Sequence, residues 1–255
     1  MQKKENTKLK FFVIHNLDQR RKQVIDKELE KSEIPNEDII FINHPNKNEL
    51  TYEIKKKAVQ KNTKYGVEKA TIKDGWISVS YKHYLALKYV VENSIDLAFI
   101  IEDNVGKING NLYDRVGEYL EELPDDWDIV FECDQFPFSY SGESLTNNNN
   151  LIHKKSNEIT YQESGEILLG GGSRAAQFYF VNLDAAKKLF DNYLPFNHAP
   201  DVWMNDLFRK LDINSFWAEP TIIETEKGHR TSTNYKLKDF YYIIKSKFIN
   251  LIVGL

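Results

Sequence analysis

The chain has 255 residues, with 34 Lys and Arg against 38 Asp and Glu, so its net charge is −4 with histidine neutral. This mild acidity argues against a general nucleic-acid-binding surface, which carries a basic excess. A hydrophobic fraction of 41% and a charged fraction of 28% are typical of globular proteins and exclude disordered and fibrous classes. The length suits one large domain or two small ones, at about 100–200 residues per domain.

Cysteine content and hydropathy bear on the compartment. The only cysteine, Cys133, cannot form an internal disulfide and cannot build a four-thiolate zinc site. The first ten residues are polar, and the apolar run at 11–14 is too short for the central region of a signal peptide. No segment reaches the ~18 consecutive apolar residues of a membrane-spanning helix. These features predict a cytoplasmic protein.

Short apolar runs alternate with helical patterns along most of the chain. The runs predicted as strands are 10–15, 39–42, 97–101, 127–131, 177–181 and 221–224. The segments predicted as helices are 19–30 with Asp18 as N-cap, 80–92, 112–123, 183–193 and 202–211. Residues 45–74 are predicted to be a Lys-rich surface helix and loop ended by Gly75, and residues 133–158 a loop. The alternation indicates an α/β sheet covered on both faces.

Ligands of open α/β sheets bind beyond the carboxyl ends of the strands, so polar residues at those ends are the first candidates for a site. The candidates are Asn16, Asp18, Glu102, Asp103, Asn104, Glu132 and Asp134. Two carboxylates and an amide at 102–104 suit a hard divalent cation that also bridges substrate phosphates. The alternative is that these acidic residues are solvated turn residues or helix N-caps.

Three further positions have the residue types of an anion site. Lys82 and His83 are predicted to open a helix, where a lysine and the helix N-terminus would favour a phosphate. Arg20 begins the helix after the first strand, and a guanidinium matches phosphate geometry. The alternatives are a surface lysine beside a packed histidine and a basic surface helix. The glycines at 170–172 permit close backbone approach to a ligand, but their spacing matches neither the dinucleotide nor the P-loop signature.

Two candidate site residues in the last quarter of the sequence also have non-functional explanations. Asp201 follows Pro200 and could act only as the cap of a helix that begins at Val202. His229 is an isolated polar histidine of the kind that is usually solvated.

Taken in order, these signals resemble the family 25 glycosyltransferases, the group that includes lipooligosaccharide galactosyltransferases and the collagen galactosyltransferase. The resemblance covers roughly residues 11–233. The segments that carry it are Asn16-Leu17-Asp18-x-Arg20-Arg21, Lys82-His83-Tyr84-Leu85-Ala86-Leu87, Ala98-Phe99-Ile100-Ile101-Glu102-Asp103-Asn104-Val105, Leu123-Pro124-Asp125-Asp126-Trp127-Asp128-Ile129-Val130, Pro200-Asp201-Val202-Trp203-Met204-Asn205 and Trp217-Ala218-Glu219-Pro220.

The resemblance implies a nucleotide-sugar-binding α/β fold of the GT-A type, with a mixed, mostly parallel central sheet flanked by helices, as one domain over residues 1–237. It implies an inverting enzyme that transfers a hexose such as galactose from a UDP-sugar to a glycan or glycoconjugate, as in lipopolysaccharide biosynthesis. The implied cofactor is Mn²⁺ or Mg²⁺. The alternative is a catalytically inactive relative that binds a nucleotide sugar or a glycan.

The resemblance also assigns roles to residues. The donor would contact Asn16, Asp18, Arg20, Lys82, His83, Glu102, Gly171, Gly172 and Arg174. The metal would be held by Asp103, Asn104 and His229. Inversion needs a carboxylate that takes the proton of the acceptor hydroxyl, and the candidates are Asp201 first, then Glu132 and Asp134. The family usually ends its acidic motif in Asp, whereas this chain has Asn104, whose neutral amide is a poorer ligand for a hard cation.

Residues 238–255 combine aromatic and aliphatic residues with lysines. This pattern predicts an amphipathic C-terminal segment that packs on the domain or touches an anionic membrane surface. In the second case the cytoplasmic protein would be peripheral at a membrane.

Overall fold

A seven-stranded mixed sheet lies at the centre of the described part of the chain. The structure is a computed structural model that describes residues 8–59, 72–132, 152–155, 159–161, 168–170, 172–218 and 220–226. Residues 1–225 belong to one compact unit. The segment 238–255 lies outside the described residues, so its amphipathic character and the domain boundary at residue 237 stay predictions.

Five of the seven strands in the central sheet point the same way. The strands within the described ranges are β1 Leu9–Ile14, β2 Ile39–Ile42, β3 Leu97–Glu102, β4 Val105–Ile108, β5 Ile129–Phe131, β6 Ile152–Lys155, β7 Ile159–Tyr161, β8 Leu168–Gly170, β9 Phe178–Asn182, β10 Ser215–Ala218 and β11 Ile223–Thr225. The order of the central sheet is β2-β1-β3-β9-β5-β10-β6. Only β9 and β6 run opposite to the other five. The carboxyl ends of β1, β2, β3, β5 and β10 therefore meet at one edge.

Helices cover both faces of this sheet. They are α1 Gln19–Lys31, α2 Tyr52–Ala58, α3 Asp74–Glu92, α4 Leu112–Glu122, α5 Leu183–Tyr193 and α6 Pro200–Leu211. Helices α3, α5 and α6 bury their apolar residues with Phe12 and Ile100, whereas α1 and α4 pack with Phe11 and Phe99 on the other face. Successive side chains of a strand point to opposite faces, so continuous apolar strands supply both cores. The predicted α/β class, with a mixed, mostly parallel sheet flanked by helices, is confirmed.

Helix α3 differs from the prediction in a way that matters for the site. It begins at Asp74 rather than at residue 80, and Gly75 lies inside its first turn instead of ending the preceding segment. The backbone oxygen of Lys73 accepts bonds from Trp76 and Ile77, so the helix is already closed there. The prediction that Lys82 opens a helix is therefore wrong.

Five short strands were not predicted: β4, β6, β7, β8 and β10. Strands β4 and β10 each have four residues, and β6 lies inside the segment 133–158 that was predicted to be a loop. The partners of β4, β6 and β10 are distant in sequence: β4 pairs with β11, and β10 lies between β5 and β6. Segments this short have too little periodicity to be recognised without those partners.

Candidate active site

The side chain of Asp103 joins the carboxyl ends of β1 and β3. Its Oδ2 accepts a hydrogen bond from the backbone nitrogen of Asn16 at 2.8 Å, and its Oδ1 lies 2.7 Å from Nη1 of Arg21 in α1. The backbone nitrogen of Asp103 donates to the carbonyl of Ile14. Asp103 is only 5% exposed, and a buried carboxylate requires such partners. Arg21 thus pairs with the acidic residue Asp103, whereas contact between the neighbouring Arg20 and a donor stays a prediction.

The loop after β1 is held in a defined shape. Asp18 caps α1 as predicted, and the hydrogen bonds from the backbone of Arg21 and Arg20 hold the pKa of Asp18 below its ordinary value. Leu17 has a φ of +68°, which is unusual for a leucine, and its backbone nitrogen donates to Nδ1 of His15. The side chains of residues 16, 17 and 20 are exposed beside this turn. Two predicted donor residues therefore lie on the surface at the carboxyl-end edge.

Lys82 has a structural role at the same edge. It is 1% exposed, and its Nζ donates to the carbonyl of His15 at 2.6 Å and to Oδ1 of Asn46 at 3.0 Å. Burial lowers the pKa of Lys82 to about 8, although the negative charges of Asp103 and Glu49 oppose this shift. The ammonium thus connects α3 to the loops after β1 and β2. Direct contact between Lys82 and a donor stays a prediction.

His83 orients Glu102 from inside the protein. The imidazole is fully buried, with Nδ1 3.0 Å from the hydroxyl of Tyr179 and Nε2 3.3 Å from Oε1 of Glu102. Because a carboxylate only accepts, Nε2 carries a proton and donates to Glu102. The side chain of Glu102 is 20% exposed. Both ring nitrogens of His83 therefore have partners inside the protein. Of the three hydrogen-bonded side chains, Tyr179, His83 and Glu102, only Glu102 reaches the surface.

Asp201 lies on the same face of the sheet as Glu102. It is the second residue of α6 and partly exposed; the N-cap is Ala199, so Asp201 does not cap this helix. Its Oδ1 accepts from the backbone nitrogen of Val202 at 2.9 Å. Burial raises the pKa of Asp201, whereas the nearby imidazoles of His83 and His198 act in the opposite direction.

The glycine-rich segment packs against α6 and β10. Ser173 donates from Oγ to the carbonyl of Asp201 and from its backbone nitrogen to Oδ1 of Asn205. The carbonyl of Gly172 accepts from Nε1 of Trp217 at 2.8 Å, and the guanidinium of Arg174 lies 5.1 Å from the centre of the same indole. The backbone of this segment is thus bound to the protein itself next to the first turn of α6.

Glu132 lies in the other core. It is fully buried, its Oε1 accepts from the backbone nitrogen of Ile222, and it lies 3.5 Å from the hydroxyl of Tyr119 in α4. Helix α4 packs on the face opposite to α6. A general base must reach the proton that it removes, so this position is unsuited to the predicted catalytic role. Asp134, Gly171 and His229 lie outside the described residues, and their assignments stay predictions.

One atom of the acidic motif at residues 102–104 is suited to bind a divalent cation. Oδ1 of Asn104 is buried and accepts no hydrogen bond from the residues that the structure describes. An amide oxygen in this state is a suitable ligand for Mn²⁺ or Mg²⁺. Across the described ranges no group of three or more His, Cys, Asp or Glu side chains could hold a metal. The remaining ligands of such an ion would come from donor phosphates or from residues outside those ranges. Asp103 would be a further ligand if its carboxylate bound the ion and Arg21 at the same time.

Comparison with known proteins assigns the class. The model of glycosyltransferase family 25, described as an LPS biosynthesis protein family, matches residues 8–204. The chain therefore belongs to this family and is a glycosyltransferase, which implies in general a nucleotide-sugar donor and a glycan acceptor. No curated protein is significantly similar in sequence.

Three solved structures are similar only at a distance. A197 from STIV is 10% identical with a TM-score of 0.42, over 89% of this chain and 100% of that one. Mouse xyloside xylosyltransferase 1 in its apo form is 11% identical with a TM-score of 0.37, over 80% of this chain and 81% of that one. A glycosyltransferase involved in glycosylation of the major capsid of PBCV-1 is 10% identical with a TM-score of 0.27, over 83% and 94%. These scores are too low to carry an argument.

None of the helices in the described ranges has the length and apolar character needed to cross a membrane.

Glu132→Gln is expected to match the parent protein in stability near pH 5 and to exceed it near pH 8. Burial raises the pKa of Glu132 from 4.5 to about 8, so the folded protein holds a proton that the unfolded chain releases. This contribution to stability is full below the unfolded pKa and is lost as the pH rises through the folded pKa. The loss is on the order of 3–4 kcal/mol, and the glutamine does not ionise. Urea unfolding of both proteins from about pH 5 to about pH 8 measures it. Parallel profiles of unfolding free energy against pH for the two proteins would contradict the raised pKa of Glu132.

Proposed function

We propose that this glycosyltransferase moves a hexose such as galactose from a UDP-sugar to a hydroxyl of a glycan or glycoconjugate, with inversion at the anomeric carbon. The observation that supports it best is the pair of partly exposed carboxylates, Glu102 and Asp201, on one face of the sheet at its carboxyl-end edge. The two carboxylates reach this edge from different elements, β3 and α6, and the internal histidine His83 holds the first of them.

Positive groups near the same edge suit the leaving group. The diphosphate gains negative charge as the bond to the sugar breaks, and stabilising that charge is often the largest catalytic contribution. Arg20 at the first turn of α1 and Arg174 beside α6 would supply charge to the phosphates. A divalent ion bound to Asn104 and to the donor would neutralise part of the same charge.

Asp201 has the properties expected of an acceptor-side base. In an inverting reaction the acceptor oxygen attacks the anomeric carbon opposite the diphosphate, and a carboxylate takes its proton. Asp201 is partly exposed, and burial raises the pKa of its carboxyl group toward that of an effective base at neutral pH. With Glu132 enclosed in the other core, Asp201 is the remaining candidate among the described residues.

Asp201→Asn is expected to leave donor binding nearly intact while transfer falls by about 10²–10⁴-fold, the range for a lost general base. Asp206→Asn is the matched control, because Asp206 is a partly buried carboxylate on the same helix and pairs with Arg209. Transfer from a labelled UDP-sugar and titration calorimetry with UDP would measure the two effects separately. Unchanged turnover of Asp201→Asn would move the assignment to Asp134.

Donor binding by the parent protein without transfer or donor hydrolysis, with and without Mn²⁺, would favour the alternative of a non-catalytic relative. A thermal-shift panel of nucleotide sugars with Mn²⁺ or EDTA tests binding before any acceptor is known.

The metal and the donor are expected to bind together. Because Asn104 is neutral, Mn²⁺ alone should bind weakly, and UDP should bind more tightly with Mn²⁺ than with EDTA. Asn104→Asp should tighten Mn²⁺ binding because it adds a charge at the buried oxygen. This variant is a better test than Asp103→Ala, which also leaves Arg21 without its partner. Calorimetry that gives equal UDP affinity in Mn²⁺ and in EDTA would remove the ion from the proposal.

A further inference from the structure

A buried tyrosine hydroxyl on the face of Glu102 and Asp201 has no hydrogen-bond partner among the described residues. Tyr193 is the last residue of α5 and is fully buried. Its hydroxyl makes no hydrogen bond within the part of the chain that the structure describes. A buried polar group without a partner destabilises a fold by about 1–3 kcal/mol. Phenylalanine would fill the same space without this cost, so the hydroxyl requires an explanation.

The contacts of Tyr193 place it between the elements that carry the proposed site. Its backbone oxygen accepts a hydrogen bond from Nε1 of Trp203 at 2.8 Å, which ties the end of α5 to α6, the helix that carries Asp201. Its ring lies 6.4 Å from the ring of Tyr84 in α3, the residue after His83. Tyr193 therefore belongs to the packing of α3, α5 and α6 on the face where Glu102 and Asp201 lie.

The electrostatic surroundings keep this hydroxyl protonated, so it can donate a hydrogen bond. Burial raises the pKa of Tyr193 well above its ordinary value, and the negative charges of Glu102 and Asp201 raise it further. The phenol therefore keeps its proton under all conditions in which the enzyme would work. Glu102 already accepts from His83, whereas the carboxylate of Asp201 is held at Oδ1 by the backbone of its own helix.

We propose that Tyr193 is a positioning residue for Asp201: in the working complex its hydroxyl donates to the carboxylate and fixes the base toward the acceptor. This inference rests on the proposed function. During transfer the acceptor oxygen forms a bond to the anomeric carbon as the bond to the diphosphate breaks. The proton of the acceptor hydroxyl passes to Asp201, the bonding electrons leave with UDP, and Tyr193 keeps its own proton.

Several groups set the ionisation of Asp201, and only one of them is changed in the test. His83 on α3 and His198 before α6 favour the carboxylate, burial opposes it, and Glu102 at the end of β3 is a second negative charge near the hydroxyl. A hydrogen bond donated by Tyr193 to the carboxylate would lower the pKa of Asp201. Its removal should therefore raise that pKa.

Tyr193→Phe is the decisive variant. Its melting temperature should equal or exceed that of the parent, because an unpartnered buried hydroxyl is removed. Its kcat should fall by about 10-fold with an unchanged KM for the donor, the effect of a lost hydrogen bond to a charged group. The acid limb of its kcat profile, which reports ionisation in the enzyme–substrate complex, should move to higher pH by about one unit. A double variant with Asp201→Asn should lose no more activity than Asp201→Asn alone, because the tyrosine acts through the aspartate.

Tyr179→Phe is the matched comparison. Its hydroxyl has a partner, Nδ1 of His83, so its removal leaves a buried nitrogen unpaired and should lower the melting temperature. The opposite stability responses of the two Tyr→Phe variants test whether the hydroxyl of Tyr193 lacks a structural partner.

Parent kcat and an unmoved acid limb in Tyr193→Phe would overturn the inference while leaving the proposed function intact. A lower melting temperature with activity reduced equally at every pH would also overturn it, since that result indicates a structural hydroxyl. Absence of sugar transfer by the parent protein would instead overturn the proposed function, and the inference with it.

Discussion

The buried carboxylate of Asp103 is the contact on which the geometry of the candidate site depends. It binds the backbone after β1 through Asn16 and the first turn of α1 through Arg21, while its own backbone bonds to the last residue of β1. Removing one partner of a buried pair typically destabilises a protein by about 3–5 kcal/mol, because it leaves an uncompensated charge. The ends of two neighbouring strands and the start of a helix thus share one charged centre.

The two faces of the sheet carry carboxylates of different exposure. Glu102 and Asp201 lie on the face of α3, α5 and α6 and keep partial exposure, whereas Glu132 is enclosed on the face of α4. For Glu102 and Glu132 the difference follows from the alternation of side chains along a strand, which directs these two strand-end residues to opposite faces of the sheet. Position at a strand end is therefore not sufficient for a role at this edge.

Local features of the sequence determined most of the secondary structure and the family. Helix α5 has the predicted bounds, β2 covers the predicted residues, and Asp18 caps α1 as its position after the first strand indicated. Each of these depends on neighbours in sequence: apolar spacing, short apolar runs and a side chain that bonds the next turn. The ordered motifs also identified family 25, which the match over residues 8–204 confirms.

Contacts between distant segments decided the rest of the site. Only the folded chain brings Arg21 to Asp103, and only the folded chain buries Lys82 against the loops after β1 and β2. Tyr193 has no local signal at all, since its relation to the carboxylates arises where α5 meets α6. The physical reason is that periodicity and capping act over a few residues, whereas burial and charge pairing depend on which surfaces the sheet and helices bring together.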